Sequence, residues 1–189
     1  TGVNGTSPAE RGENAGYPSN FIGENLGWQG TSGEINDLTS FVDELHEGLF
    51  LSPSHRLNLM RSDYEEIGLG ILTGEFTDDG TDWNAVITTH DFGAELNNDS
   101  FFITGVIYED LIDNHFYDPS EGVSNITVEV VNPNNDFSAT TTTKDAGGYE
   151  LAVPSGEYEV KFTGEALETT VTEVVTVEEN NLKIDVRTK

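Results

Sequence analysis

Leu38, Phe41, Val42, Leu45 and Leu49 recur at steps of three and four residues, which predicts a helix over 36–50 with one apolar face. Asn36 or Asp37 is available to cap it. Asp43, Glu44 and Glu47 fall mainly on the opposite side and read as a solvated face, and mid-helix His46 reads as a surface residue. A second helix start follows at once in Ser52-Pro-Ser-His-Arg-Leu-Asn-Leu-Met60. Ser52 can cap the free backbone donors, and Pro53 suits the first helical position because its missing N–H costs nothing there. His55 and Arg56 then sit in the first turn, with Leu57 and Met60 turned toward a core. Beyond them the period changes from helical to alternating at Ile67, Leu69 and Ile71. Ile67–Leu72 and Asp82–Phe92 read as antiparallel strands joined by a turn at Thr77-Asp-Asp-Gly80, with Trp83 and Phe92 in the core. Residues 1–35, rich in Gly, Asn, Ser and Thr, show little periodicity and read as loop.

After a polar linker over 94–100 the pattern becomes entirely strand and turn. Phe102–Tyr108, Ile126–Val131, Ala139–Thr143, Tyr149–Val153, Tyr158–Phe162, Thr169–Val177 and Leu182–Val186 are seven short β-rich runs. Turn residues separate several of them, at 132–135, 145–148, 154–156 and 179–181. Seven short strands at this spacing predict an antiparallel β-sandwich.

Composition narrows the function classes. The chain has 189 residues, room for one large or two small domains, and no cysteine, which removes disulfides and thiolate metal sites. No apolar run reaches membrane-spanning length, so no membrane span is expected. Thr1 opens no signal peptide, and the chain is expected to be a processed or excised piece. A formal charge of -27 would repel phosphates and makes nucleic acid a poor partner. Acidic residues spread along the whole chain suit an extracellular bacterial protein.

Candidate chemistry gathers in the first half. Arg11, Ala15-Gly16-Tyr17, Gly23-Glu24-Asn25, Ser52-Pro-Ser-His-Arg-Leu-Asn58, Ile67-Gly-Leu-Gly70 and Asp91-Phe-Gly93 follow one another in the order and spacing of a bacterial CAP (SCP-like, cysteine-rich secretory protein) superfamily domain, which residues 1–95 resemble. The resemblance implies an αβα sandwich with a ligand pocket. It implies pocket positions for Glu24 and His55, with His90 at the rim where relatives often have Gln. It also implies that the chain starts after the family's first helix and first pocket histidine. Leu49 stands where many members have Trp, and a second pocket glutamate has no match. His55 offers an imidazole that can bind a divalent cation or act as a base near neutrality, so zinc is a possible occupant. No Ser lies in a nucleophile motif, so catalysis is not the expected role; a metal-assisted hydrolase using His55 and Glu24 is the alternative.

The stretch Gly147-Gly-Tyr-Glu-Leu-Ala-Val-Pro-Ser-Gly-Glu-Tyr-Glu-Val160 resembles carboxypeptidase-regulatory-like and Cna-B-like modules, which implies a spacer or stalk over 101–189. Ahead of its second strand, Asp110 to Glu121 has the twelve-residue length of an EF-hand loop. Asp110, Asn114, Asp118 and Glu121 fill side-chain positions, Phe116 offers its carbonyl, and Asp113 compensates for Ile112 at the third position. His115 replaces the turn glycine. The loop also looks like calcium loops of bacterial Cna-B-like and Sdr-type surface domains, and calcium is the expected ion. The expected fold class is therefore α+β: an αβα CAP-like domain followed by an all-β seven-stranded sandwich. The expected function is an extracellular or cell-surface binding protein. Its expected partners are a small ligand, lipid, glycan or peptide, and other domains or surface components.

Overall fold

A computed structural model of the protein describes residues 5–17, 21–95 and 100–188 and divides the chain into two units, Thr1–Asn97 and Asn98–Lys189. The chain as a whole is mostly β, and the three helices among the described residues all lie in the first unit. Positions 96–99 of the polar linker, and 1–4 and 18–20 of the stretch read as loop, lie outside the described residues.

In the first unit, α1 (Pro8–Asn14) and β1 (Ile22–Thr31) precede α2 (Leu38–Leu51), α3 (Pro53–Leu59), β2 (Glu66–Asp78) and β3 (Thr81–Gly93). The three strands form an antiparallel sheet in the order β1-β3-β2. Asp79 and Gly80, both at positive φ, make the two-residue turn between β2 and β3, a geometry that matches the twist of the flanking strands. The expected loop over 1–35 is corrected by α1 and β1. Helix α1 starts with a capping box in which Ser7 and Glu10 satisfy each other's backbone donors, followed by Pro8. Helix α2 is capped by Asp37, whose Oδ1 accepts from the Ser40 N–H at 3.2 Å. Ser52 holds the N-cap position of α3, but its side chain caps nothing and lies 3.4 Å from Ser54 Oγ.

Pairing register sets the two faces of the sheet. Asn25 lies opposite His90 and Gly27 opposite Thr88, so these residues share a face with Val86 and Phe92. Helix α2 packs there: Leu45 and Leu49 are its buried residues, and a Cβ on Gly27 would lie 3.3 Å from Leu45. Val86, Thr88, His90 and Phe92 are all buried beneath it. Trp83 is half-buried, short of the core position expected of it. Leu57 and Met60 do not reach a core either and are largely exposed. What ties α3 to the sheet is polar: Asn25 Nδ2 donates to the His55 carbonyl at 2.9 Å, and Asn58 Nδ2 donates to Asn25 Oδ1 at 2.9 Å. The apolar row Ile67, Leu69 and Ile71, on edge strand β2, is exposed.

The second unit is a β-sandwich. Its strands are β4 (Ser100–Tyr108), β5 (Thr127–Val131), β6 (Ser138–Thr142), β7 (Gly148–Pro154), β8 (Gly156–Thr163), β9 (Val171–Val177), β10 (Leu182–Lys183) and β11 (Val186–Arg187). One sheet runs β6-β5-β8-β9; in the other, β4 pairs with β7, β10 and β11. Alternate residues point inward, among them Ile103 and Ile107 of β4, Val128 and Val130 of β5, and Tyr158, Val160 and Phe162 of β8, all at most 1% exposed. Full burial of each such aliphatic or Phe side chain contributes about 1.5–3 kcal/mol. The phenol tips escape desolvation by donating to backbone: Tyr149 to Ile184 O and Tyr158 to Pro154 O, both at 2.8 Å. The last segment departs from the all-antiparallel expectation, since β10 and β11 run parallel to β4. Among the described residues, no helix is long and apolar enough to cross a membrane.

Candidate functional site

A polar constellation of the first unit forms where α1 meets the end of the sheet. Glu24 lies opposite Asp91 on the face turned away from α2. Arg11 of α1 reaches it, pairing with the Glu24 carboxylate while donating to the Thr6 carbonyl at 2.8 Å. Tyr17 donates to Glu66 at the first residue of β2. Burial, reinforced by Glu66, raises the Tyr17 pKa. Burial also raises the Asp91 pKa, with Glu24 adding to the shift and Arg11 opposing it. Beside these groups is an open groove of about 520 Å³ lined by Arg11, Tyr17, Glu66 and Asp91, with Pro8, Ala15 and Ile22 among its apolar residues.

Of the three pocket residues expected from sequence, the structure does not bring Glu24 and His90 together. They occupy neighbouring register positions and opposite faces. His55 lies in the first turn of α3, half-buried, and its carbonyl joins the polar network of Asn25. His90 is nine-tenths or more buried beneath α2, where its ring faces His46 at a centroid distance of 5.7 Å and Phe92 edge-on at 6.3 Å. Burial, aided by His46, lowers the His90 pKa. Sequence reasoning missed Arg11 as a site residue in its own right, as well as Tyr17, Glu66 and Asp91. The Ser7/Glu10 capping signature was the available signal, because recognising α1 places Arg11 within reach of β1.

In the second unit, the loop 110–121 is organised around two carboxylates. Asp110 Oδ1 accepts from Asn114 N–H at 3.0 Å and Oδ2 from His115 N–H at 2.9 Å. Glu121, 4% exposed, accepts from Leu111 N–H at 2.8 Å and Asp118 N–H at 2.9 Å, one on each oxygen. Asn114 donates to Asp118 at 2.6 Å and accepts from Phe116 N–H. Arg187, next to the C-terminus, donates to Asp110 Oδ2 at 3.1 Å and lies 2.6 Å from His115 Nδ1. Burial pushes the Asp110 carboxyl up, but the His115 and Asn114 N–H groups and Arg187 outweigh it and leave it below the usual carboxylate range. Among the described residues, Asp110, Asp113 and His115 offer donor atoms within 4.8 Å of one another. Asn114, Asp118 and Glu121 are bonded to one another and to backbone, and a guanidinium already neutralises Asp110. Calcium takes six to eight oxygens, so the ring nitrogen of His115 does not complete a calcium shell.

A family model for the carboxypeptidase regulatory-like domain matches residues 117–189, which agrees with the observed β-sandwich. The match begins inside the acidic loop and leaves out β4, the strand that pairs with β7, β10 and β11. A comparison with curated proteins finds no match.

Proposed function

We propose that this chain is an extracellular or cell-surface binding protein. Its first unit is a CAP-like domain that takes a small ligand in the groove beside α1, and its second is a spacer that joins the first to other domains or surface components. The groove carries the reading: it combines apolar walls with a few polar groups whose positions are fixed by partners, the composition of a ligand site. The regulatory-like match supports a spacer role for 117–189. Binding is favoured over hydrolysis because the Glu24 carboxylate is engaged by Arg11 instead of facing a histidine. In the acidic loop, calcium occupancy is proposed as a second state, which Arg187 opposes by holding Asp110.

The test is ligand-observed NMR of the full chain against sets of fatty acids, oligosaccharides and short peptides. Saturation transfer to one class, lost in Ile22→Asp and weakened in Asp91→Ala, is the expected result. Transfer unaffected by both substitutions would remove the groove from the proposal. Peptide cleavage abolished by His55→Ala would replace binding with hydrolysis.

A further inference from the structure

We propose that His46 and His90 form a two-histidine site for a borderline divalent transition ion of the zinc class. His90 Nδ1 is, among the described residues, the buried side-chain nitrogen or oxygen without a hydrogen-bond partner. Leaving a buried polar atom unpaired is unfavourable, so this nitrogen, on a ring 5% exposed, calls for a partner. The neighbouring ring, that of His46 on α2, is also an imidazole, and His46 is exposed. An ion about 2.1 Å from a ring nitrogen lies about 3.2 Å from that ring's centroid, so two rings on one ion have centroids at most about 6.4 Å apart. The observed 5.7 Å lies within that reach, and the rings are tilted 39° to each other. Imidazole suits zinc and its neighbours, whereas calcium and magnesium prefer oxygen.

The remaining coordination positions open to solvent on the His46 side. Glu24, on the opposite face, contributes nothing. The site is thus separate from the groove and recruits a histidine that helical periodicity assigned to the surface.

The experiment is calorimetric titration of the full chain with zinc chloride, in moderate salt and excess calcium to saturate acidic surface sites. Four proteins are compared: the parent, His46→Ala, His55→Ala and His115→Ala. His46→Ala removes an exposed side chain, and circular dichroism verifies its fold. The expected result is one zinc equivalent on the parent, weakened at least about tenfold in His46→Ala and unchanged in the other two. Zinc shifts of the His90 ring signals by NMR accompany it. No zinc binding to the parent, equal affinity in His46→Ala, or loss confined to His55→Ala or His115→Ala would each overturn the site.

Discussion

Glu24 and His90 sit on neighbouring pairs of one β-ladder and point to opposite faces of the sheet, since Glu24 lies across from Asp91 and His90 across from Asn25. Energetic coupling follows contact, so the two should behave as independent sites. In denaturant unfolding of the first unit, Glu24→Gln and His90→Gln are expected to add within about 0.5 kcal/mol. Arg11→Ala and Glu24→Gln should instead couple by about 1 kcal/mol, the scale of a partly exposed ion pair. A strong Glu24–His90 coupling would contradict the register.

Acid should loosen the first unit through His90. Its folded pKa lies below the ordinary value of 6.5 because burial, and then His46, disfavour the charged ring. The unfolded chain therefore binds the proton more readily, and stability falls as pH drops from about 6.5 toward the folded pKa. Urea midpoints measured from pH 7.5 to 5 should show this slope in the parent and lose it in His90→Gln. A persistent slope in that variant would assign the effect to another group.

Periodicity revealed most of the elements and least of the site. The helix over 36–50, its Asp37 cap, the β2–β3 hairpin and the runs of the second unit all carry strong period or turn signals. Strand β1 does not, for a packing reason: its helix-facing row is Gly23, Asn25, Gly27 and Gln29, without an apolar side chain. A side chain on Gly27 would crowd Leu45 and Leu49, while Asn25 is spent on tying α3 to the sheet. The row that packs is thereby disguised as loop. Leu57 and Met60 misled for the converse reason, since Asn58 occupies the inward side of their helix. The groove was illegible because its polar residues come from α1, Tyr17 and the ends of two strands, far apart in sequence. The acidic loop displayed its carboxylates in sequence, but not that Arg187, over seventy residues later, would satisfy one of them.

Removing that guanidinium should alter the acidic loop in two measurable ways. Asp110 has a depressed pKa, so its ionised form stabilises the second unit above the ordinary carboxylate range, and that contribution is lost as pH falls through the folded pKa. Arg187→Ala weakens the depression, and the acid unfolding midpoint of the second unit should move to higher pH. The same variant frees Asp110 of its competing cation, and calcium titration should show several-fold tighter binding than in the parent. Equal calcium affinity in the two proteins would show that Arg187 does not guard the loop.

The parallel segment that completes the second unit depends on Gly105. Strands β10 and β11 run along β4 with Ile184 opposite this residue, so close that a Cβ there would lie 1.9 Å from the Ile184 carbonyl oxygen and 3.1 Å from the Tyr149 ring. The obstacle is backbone, which cannot rotate away as a side chain would. Around it, the ladder is supplemented by side chains: Asn181 Oδ1 accepts from Phe102 N–H at 2.8 Å, and Asp185 Oδ1 from Val106 N–H at 3.0 Å. Gly105→Ala must therefore displace the whole segment, at a cost of about 1–3 kcal/mol from overpacking alone and more from the lost hydrogen bonds. Gly70→Ala is the control, because no atom lies within 4 Å of its added Cβ; its effect should stay within about 0.5 kcal/mol. Amide exchange is the decisive readout. In Gly105→Ala the N–H groups of Phe102, Val106 and Ile184 should lose protection while those of β5 and β8 keep theirs, and retained protection at Ile184 would mean that β4 itself gives way.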